Sequence, residues 1–442
     1  MRRLLAPLLL SLATVPLAAV PLAAQDTSQV REGVRLGLEY SGVRPGLVVL
    51  PGSGLDSVRA IVRRDLDFTD RFEMVGGEFS PSDPGSSTEP GGSVSYGIYK
   101  TMGAQLGVEL VQAPGGVTAR LHDINLQKVR NQATFALPAE TDPSYRLDLH
   151  RAADEIARWA SGTPGLAATR LLFVSNGRVY RIDSDGEVAV PITAEGVTSL
   201  SPVWSPDGQR IAYTRLEAGR GGVIVQSLAN GATTVAPGAQ SALNITPSFA
   251  PDGRMLAFAH SDENGTDIFT SNVADRCCAQ RLTVGRYADN LSPTFSPDGR
   301  RIAFVSTRSG PPQIYVMAAD GTDQELLAPF DYGATGASNA PEWSPDGAKV
   351  VFHRDVSRSP QLFLVEVGGR RVTQLTSSGR NEDPTWAPDG RHVAFISDRS
   401  GRRQIWIIDT ETGRVRQLQT PGAARLPSWS RRLGRAAVAT NP

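Results

Sequence analysis

The feature that most constrains this fold is a motif that recurs five times in the second half of the chain. Each copy contains a proline, an aromatic residue and a Pro-Asp-Gly turn, and a short run of alternating large and small apolar residues follows. The turn aspartates lie 45, 46, 48 and 43 positions apart: Asp207, Asp252, Asp298, Asp346 and Asp389. A repeat of this length, built from short strands and turns, is typical of β-propeller blades.

Each copy predicts a blade of four antiparallel strands. Proline presets φ and glycine accepts the positive φ that closes the turn, so Pro-Asp-Gly joins the first strand to the second. Alternation places bulky residues on one face of the second strand and mostly alanine on the other, so the next blade can approach closely. The aromatic residues before the turns supply apolar area between blades: they are Trp204, Phe249, Phe295, Trp343 and Trp386.

The two ends of the repeat array predict how the ring closes. Residues 171–174 and 178–182 look like the second and third strands of a blade that lacks its opening motif. The missing piece is at the far end, in residues 426–430, where the turn sequence has been lost. We therefore predict six blades, the last strand of the chain completing the first blade and closing the ring.

The first 24 residues predict a secretory signal peptide. They contain two arginines, a long Leu/Ala/Val/Pro run and small residues near Ala24, where we expect cleavage. A membrane anchor is the alternative, but Pro16, Pro21 and the polar residues that follow argue against it. No other stretch approaches the ~20 apolar residues that span a bilayer. We therefore expect an exported protein without direct membrane insertion.

Charge and cysteine content narrow the possible partners and cofactors. The chain has 45 basic and 45 acidic residues, which argues against a nucleic-acid or anionic-membrane partner. Its two cysteines, Cys277 and Cys278, are adjacent. They could form a strained vicinal disulfide or contribute to a metal site, but without a neighbouring His/Cys cluster we interpret them as a structural or incidental pair.

Residues 45–165 predict a small α/β domain. A short buried strand over 46–50 precedes a stretch with helical spacing of apolar residues, and a short helix is expected near residues 98–106. A last helix should begin with Asp142 as its cap and Pro143 in its first position. The fold class is thus a multidomain α/β plus all-β chain: signal peptide 1–24, N-terminal partner-binding segment 25–44, α/β domain 45–165 and six-bladed β-propeller 166–442.

No catalytic, metal or cofactor site is expected. A Gly-x-Ser-x-Gly elbow is absent from the sequence, and the histidines occupy different local positions, so they do not suggest converging metal ligands. Residues 183–187 and 262–267 are faintly similar to calcium loops, but Asp-Gly and Asn-Gly are also preferred hairpin turns, and we interpret them as turns.

Short polar residues recur three positions before each motif proline. They are Ser199, Asn244, Asn290, Ser338 and Asn381, with Asn339 one place later in the fourth copy. The loops that carry them should lie on one face of the ring. Two interpretations stay open, namely turn formers or hydrogen-bonding groups around a docking mouth.

These features together resemble the TolB family, the periplasmic components of Tol-Pal envelope systems. The resemblance rests on the signal peptide, the small α/β domain, the blade motif and the stretch from Val34 to Val49. It implies a non-catalytic, monomeric periplasmic scaffold. Such a scaffold links a Pal-like peptidoglycan-associated lipoprotein to the inner-membrane Tol complex, and so serves outer-membrane integrity and cell division.

The resemblance also implies two binding regions. The propeller rim that faces the lipoprotein would consist of Asn244, Thr246, Asn290, Leu291, Ser292, Asn339, Asn381 and Asp383. The N-terminal segment, with Val34, Arg35, Leu36 and Leu38, would pair by strand addition with a TolA-like inner-membrane protein. This chain departs from the family pattern at Gly37, which interrupts the strand. The alternative function is an exported propeller that binds or cleaves a polysaccharide or peptide.

Overall fold

The computed structural model describes most of the chain and is largely β-sheet. The described residues are 34–36, 42, 44–52, 54–76, 94–217, 220–236, 243–274, 279–285, 288–330 and 336–434. The predicted signal peptide, Leu38, the two cysteines and the Gly/Ser/Pro-rich stretch 77–93 lie outside them. No helix in the described ranges is long and apolar enough to cross a membrane.

The first part of the chain forms one mixed sheet with three helices. The elements are β1 Val34–Leu36, β2 Gly46–Val49, α1 Asp56–Asp67, β3 Glu73–Met74, α2 Tyr96–Thr101, β4 Leu106–Ala113, β5 Gly116–Asp123, β6 Lys128–Ala136 and α3 Tyr145–Ser161. The sheet order is β3-β2-β4-β5-β6, with β2 parallel to both neighbours and the other pairs antiparallel. β1 is not part of this sheet.

Helices cover this sheet on both faces. Val62 of α1 and Ile156 of α3 are fully buried in one core with Leu121 of β5, so both helices pack on the same face. Tyr99 of α2 lies in a second, smaller core with Val48 of β2. The spacing of apolar residues every three to four positions produces these buried stripes.

Two helix boundaries differ from expectation. α3 begins at Tyr145 with Ser144 as N-cap, because the Asp142 carboxylate accepts a hydrogen bond from the Ser144 amide at 2.8 Å and forms a turn ahead of the helix. The short helix ends at Thr101 instead of extending to 106, because Leu106 already belongs to β4, where it pairs with Asp123.

The remaining strands form four-stranded antiparallel units. In chain order they are β7 Arg170–Ser175, β8 Arg178–Asp183, β9 Val190–Pro191, β10 Thr198–Trp204, β11 Arg210–Glu217, β12 Arg220–Ser227, β13 Thr233–Val235, β14 Leu243–Phe249, β15 Met255–Asp262, β16 Gly265–Asn272, β17 Gln280–Arg281, β18 Asn290–Phe295, β19 Arg301–Ser306, β20 Gln313–Ala318, β21 Glu325–Leu326, β22 Ser338–Trp343, β23 Lys349–Val356, β24 Ser359–Glu366, β25 Val372–Gln374, β26 Asn381–Trp386, β27 His392–Ser397, β28 Gln404–Asp409, β29 Val415–Leu418 and β30 Arg425–Trp429. Unit 1 has the order β30-β7-β8-β9, and units 2 to 6 are β10–β13, β14–β17, β18–β21, β22–β25 and β26–β29. A single parallel pair, Gly221 with Leu243, joins β12 to β14, so units 2 and 3 share one eight-stranded sheet.

Neighbouring units share hydrophobic cores in the way that the large–small alternation predicts. Ala212 of unit 2 lies in one buried cluster with Phe249 and Phe258 of unit 3. Ala303 of unit 4 likewise lies with Trp343 of unit 5. The small residue leaves the space that the next unit's aromatic side chain fills, and each fully buried aromatic contributes roughly 1.5–3 kcal/mol.

The last strand joins the first unit, as predicted. Trp429 of β30 pairs with Leu171 of β7, and the Trp429 indole donates a hydrogen bond to the Thr169 hydroxyl at 2.8 Å. The same core contains Ala394 of unit 6 and Phe173 of unit 1. Unit 6 therefore packs against unit 1, and the arrangement of the units is propeller-like.

The antiparallel strand order gives the ring two ends. At the turn end lie the Pro-Asp-Gly turns and the loops between the third and fourth strands. At the rim end lie the loops that lead into each first strand and those between the second and third strands. The N-terminal domain contacts the turn end, where Asp70 meets Arg391 and Arg414.

Candidate functional site

A left-handed residue stands directly before the motif proline in the first strand of every unit. Their φ angles lie between 48° and 52°, and the residues are Ser201, Thr246, Ser292, Ala340, Asp383 and Leu426. Each marks a shift of register between the first and second strands. A residue other than glycine in this conformation costs on the order of 1 kcal/mol or more. Its recurrence indicates a structural purpose.

In four of the six units, that purpose is a hydrogen bond from the amide of this residue to the preceding unit. The shift turns the amide out of its own sheet, so that Ser292 donates to the Thr246 hydroxyl at 3.3 Å and Leu426 donates to the Asp383 carboxylate at 3.4 Å. Asp383 in turn donates its amide to Nδ1 of His353 at 3.2 Å. Side chains at the centre of the ring thus connect consecutive units.

The predicted rim asparagines lie in buried hydrogen-bond networks. Asn290 and Asn381 are fully buried. The Asn381 side-chain amide donates to Gln361 of unit 5 at 2.8 Å, and its carbonyl accepts from Arg399 at 2.7 Å. Asn290 makes the equivalent contacts with Asp267 and Arg308, and Asn244 pairs with His260 at 2.7 Å. These amides hold the loops at the rim end in place.

Four of the eight predicted rim residues line a central cavity of about 820 Å³. They are Thr246, Ser292, Asn339 and Asp383; Asn244, Asn290, Leu291 and Asn381 lie outside its lining. The cavity follows the first strands from the left-handed residues to the prolines of the turns. The structure therefore brings half of the predicted set together around one opening.

Three ionisable side chains in the cavity wall have displaced pKa values, and burial raises the pKa of the first of them, Asp383. Burial raises the pKa of Glu342 to about 7, although the Thr385 hydroxyl and the Trp386 amide both donate to its carboxylate at 3.1 Å. Burial also lowers the pKa of His353 to about 4. Both groups therefore favour their neutral forms, and Glu342 connects unit 5 to unit 6.

The predicted N-terminal binding strand is paired within the chain. Val34, Arg35 and Leu36 of β1 lie parallel to Val372–Gln374 of β25, the fourth strand of unit 5. β1 is the outermost strand of that sheet. The segment thus adopts the extended, edge-pairing conformation that strand addition requires.

One cluster between the N-terminal domain and the ring centres on His150. Its Nδ1 lies 2.7 Å from Asp65 of α1, and its Nε2 lies 3.6 Å from Asp185 in the β8–β9 loop. Burial opposes the imidazolium, but these carboxylates outweigh it and raise the pKa of His150. Arg64 and Arg146 also bond to Asp185, so this donor set is already occupied by cations.

A second cluster centres on His392, whose side chain is fully buried. Its Nδ1 lies 2.7 Å from Asp389, and its Nε2 lies 3.1 Å from Asp70 of the N-terminal domain. Burial opposes the charged ring, but the two carboxylates raise the pKa of His392. Arg414 reaches the other oxygen of Asp70 at 2.8 Å. Beside them, Arg416 stacks on Phe68 with its guanidinium 3.8 Å from the ring centroid.

The connection between domains is fixed by Asp154 of α3. Its carboxylate accepts the amides of Ala167 and Ala168 at 2.7 and 3.0 Å. A Cβ on Gly165 would lie 2.4 Å from the same carboxylate, so only glycine fits there. Burial raises the pKa of Asp154 to about 6.

Sequence reasoning missed Glu342, His353, Asp70, His392 and Asp154. Glu342 carried a signal, because the other complete copies have valine, serine or threonine at its motif position. The remaining four carried none: Asp70 and His392 lie 322 positions apart, and the local partners of His392 and Asp154 form no recognisable motif.

Comparison with known proteins places the repeat region in one family. Residues 160–331 and 331–441 match the family model described as TolB beta propeller domain. The Tol-Pal system protein TolB of Anaeromyxobacter sp. strain K is 32% identical over 214 residues, which are 46% of this chain and 48% of that protein. The TolB protein of Alcanivorax borkumensis is 29% identical over 182 residues, 38% of this chain and 40% of that protein.

The chain spans about half the length or less of these curated relatives. A solved structure of TolB from Acinetobacter baumannii is similar over more of the fold. It covers 90% of this chain and 100% of its own, with a TM-score of 0.73 at 22% identity. At that identity the likeness concerns the fold alone.

Proposed function

Since this chain belongs to the TolB family, we propose that it is a non-catalytic periplasmic scaffold of a Tol-Pal system. It links a Pal-like peptidoglycan-associated lipoprotein to the inner-membrane Tol complex, and so contributes to outer-membrane integrity and cell division. The observation that carries this proposal is the family match over residues 160–441. The alternative, an exported propeller that handles a polysaccharide or peptide, is an outcome of the test below.

The proposal includes the domain organisation. Residues 1–24 are a cleaved signal peptide, 25–44 a partner-binding segment, 45–165 the α/β domain and 166–442 a six-bladed propeller. The cores shared between consecutive units, and between unit 6 and unit 1, support the six-bladed ring. A closed ring is rigid and suits a surface on which a partner docks.

The lipoprotein docks at the rim end, over the mouth of the central cavity. Thr246, Ser292, Asn339 and Asp383 support this site because they line the cavity. The buried Asn290 and Asn381 contribute by holding the rim loops, because their side-chain amides already have partners within the chain. Replacing either asparagine would therefore weaken docking indirectly.

The TolA-like protein binds at the N-terminal segment. β1 lies at the edge of its sheet, so an incoming strand can pair with its outer side or displace it from β25. Deleting residues 25–38 is expected to abolish binding of the TolA-like partner and to leave the fold of units 1 to 6 intact.

Calorimetric titration with the peptidoglycan-binding domain of the Pal-like lipoprotein from the same organism tests the rim assignment. Asn339→Arg inserts a long cation into the cavity wall and is expected to weaken binding at least about tenfold. Asn230→Arg is the matched control, because Asn230 is an exposed residue in a turn-end loop. If both variants bound the lipoprotein domain with equal affinity, the rim assignment would be contradicted. Failure of the unmodified protein to bind, with glycan or peptide fragments recovered from envelope extract instead, would favour the alternative.

A further inference from the structure

Charge at the rim end is divided between two sectors, although the chain as a whole is neutral. The basic sector belongs to units 5 and 6 and the strand that completes unit 1: it consists of Arg358, Arg380, Arg399, Arg402, Arg403 and Arg425. Among the described residues, the acidic ones within it are Asp355, Glu382, Asp383 and Asp398. The basic sector therefore carries an excess of positive charge.

Each loop of the basic sector contacts the next loop around the ring. Gln361, near Arg358, donates its side-chain amide to Gly379 at 2.7 Å, and the Arg380 amide donates to Asp398 at 3.0 Å. Farther along, the Ala424 amide donates to the carbonyl of Arg403 at 3.0 Å. The arginines thus form one continuous surface around part of the ring.

Most of these guanidinium groups face solvent. Arg358, Arg380, Arg402 and Arg425 are exposed. Among the described residues, Arg358 and Arg425 have no side-chain hydrogen bond or ion pair. Arg399 is different, because it is half-buried and stacks on Phe395 and Trp406. Arg380 lies 4.0 Å from Glu382, and Arg402 donates to the Thr420 carbonyl at 3.3 Å. Arg358 and Arg425 are therefore the members most available to a partner.

The acidic sector lies at the same end on units 1 to 3 and the loop that enters unit 4. Its members are Glu195, Glu217, Asp262, Glu263 and Asp289, all exposed. Arg178, Arg215 and Arg220 accompany them, and two of these arginines pair with Glu195 and Glu217 at 3.7 and 3.2 Å. Among the described residues, the acidic sector thus carries a net charge opposite in sign to that of the basic sector.

We propose that the basic sector binds an acidic patch on a protein partner, and that the acidic sector fixes the partner's orientation on the ring. This inference rests on the proposed function, because it names the chemistry of the surface that docks at the rim. Guanidinium groups match carboxylates in paired hydrogen bonds. A broad anionic surface such as a membrane would be repelled by the acidic sector at the same end, which favours a partner of limited size with mixed charge.

The test compares two double charge reversals in the full mature chain. Arg358→Glu with Arg425→Glu reverses two unpaired cations of the basic sector. Arg254→Glu with Arg300→Glu is the matched control, because both are exposed arginines in turns at the turn end. The probes are poly-L-glutamate, vesicles containing anionic phosphatidylglycerol, and the lipoprotein domain, each measured by biolayer interferometry at low and moderate salt.

At about 50 mM salt, we expect the basic-sector variant to bind poly-L-glutamate and the lipoprotein domain at least about tenfold more weakly than the unmodified chain. The control variant should change by less than about twofold. Binding of poly-L-glutamate with equal affinity by both variants would overturn the inference, whatever the lipoprotein does. Arginine-dependent binding to the vesicles and not to poly-L-glutamate would also overturn it.

Selective loss of poly-L-glutamate binding, with no lipoprotein binding by the unmodified chain, would support the basic sector and contradict the proposed function. Lipoprotein binding that is insensitive to both variants would support the proposed function and overturn the inference. The two proposals can therefore fail separately.

Discussion

The two ends of the ring use charged residues in opposite ways. At the turn end, Asp70, His392 and Asp389 are buried and bonded to one another across the domain boundary. At the rim end, Arg358 and Arg425 are exposed and carry no ion pair among the described residues. Charges that are buried need partners, whereas exposed charges tolerate having none.

We expect this difference to separate a permanent contact between the domains at the turn end from transient contacts with the proposed partner at the rim end. Truncating one member of a buried pair leaves an uncompensated charge, so the turn end should be sensitive to substitution. Charges at a solvated rim mainly steer the encounter with a partner and its orientation. Substitutions at the rim end should therefore leave the stability of the fold unchanged but lower the affinity for the partner. The contrast leads to five predictions, from the largest effect on stability to the smallest.

Asp70→Asn should be the most destabilising of these changes. It removes the carboxylate that His392 and Arg414 share, and leaves the fully buried His392 without one of its two carboxylate partners, whereas Arg414 is half-exposed and keeps Asp67. We expect a loss of roughly 3–5 kcal/mol in the free energy of unfolding, measured by chemical denaturation. Asparagine tolerates the left-handed φ of 54° at this position, so backbone strain does not confuse the result.

The control for this change is Asp298→Asn, at an exposed turn aspartate. Its carboxylate accepts only local hydrogen bonds from Ser296 and Arg300. A loss as large as that of Asp70→Asn would contradict the view that pairing across the domains causes the difference.

Glu342→Gln should stabilise the protein at neutral and alkaline pH. Burial raises the pKa of Glu342 from 4.5 to about 7, so the folded state binds this proton more tightly than the unfolded chain. The group therefore destabilises the fold increasingly as pH rises from about 4.5 through 7, by up to roughly 3 kcal/mol. Glutamine does not ionise and so removes this destabilisation. Unfolding curves at pH about 5 and 8 should show that the variant has a higher free energy of unfolding than the unmodified protein only at the higher pH.

His353→Asn distinguishes the pH dependence of stability due to Glu342 from the opposite pH dependence due to His353. Burial lowers the pKa of His353 from 6.5 to about 4, so its contribution to stability is lost as pH falls through that interval. In the unmodified protein the two groups offset each other on acidification. Unfolding measurements on Glu342→Gln should therefore reveal an acid-dependent loss that disappears in the double variant. Its persistence there would assign that loss to other groups.

The contact between the domains should weaken as pH rises. The carboxylates raise the pKa of His392 above the value of the unfolded chain, so the stabilisation is complete below about 6.5 and is lost as pH rises through the folded pKa. Proteolysis in the linker at residues 162–165, followed from pH about 6 to 9, should accelerate at high pH. His392→Gln should reduce this dependence, with His150 responsible for the remainder, whereas His260→Gln at the rim end should leave it unchanged.

Arg358→Glu with Arg425→Glu should leave stability within about 0.5 kcal/mol of the unmodified protein, because both side chains are exposed. Thermal denaturation measures this. A larger loss would mean that these arginines stabilise the ring, and the contrast between the two ends would be weaker than proposed.

The sequence predicted the parts of the fold that repeat. The five motifs indicated the strands and turns of units 2 to 6, and the decayed sixth copy correctly placed β30 beside β7. Periodicity works here because local sequence determines turn geometry and which face is apolar. The two helix boundaries failed where a local turn and an early strand competed with the pattern.

The site was predicted less completely, for reasons of distance along the chain. Asp70 and His392 are 322 positions apart, and no local pattern indicates such a pairing. The motif also did not reveal that Asn290 and Asn381 are buried, because a polar residue before a strand is equally compatible with a turn, a rim or an internal hydrogen bond. Thr246, Ser292 and Asp383 were predicted as members of a partner-facing rim, whereas in the structure their amides, and the side chains of Thr246 and Asp383, connect the units.

The pairing of β30 with β7 has a consequence for the order of folding. As the chain emerges with its N-terminus first, β7 must wait for a strand more than 250 residues later. Until then β7 is an open edge, able to pair with another chain and aggregate. Such remote pairing slows completion of the fold. A chain interrupted before Arg425 would therefore accumulate with the ring unclosed and with the edge of β7 free to pair with other chains.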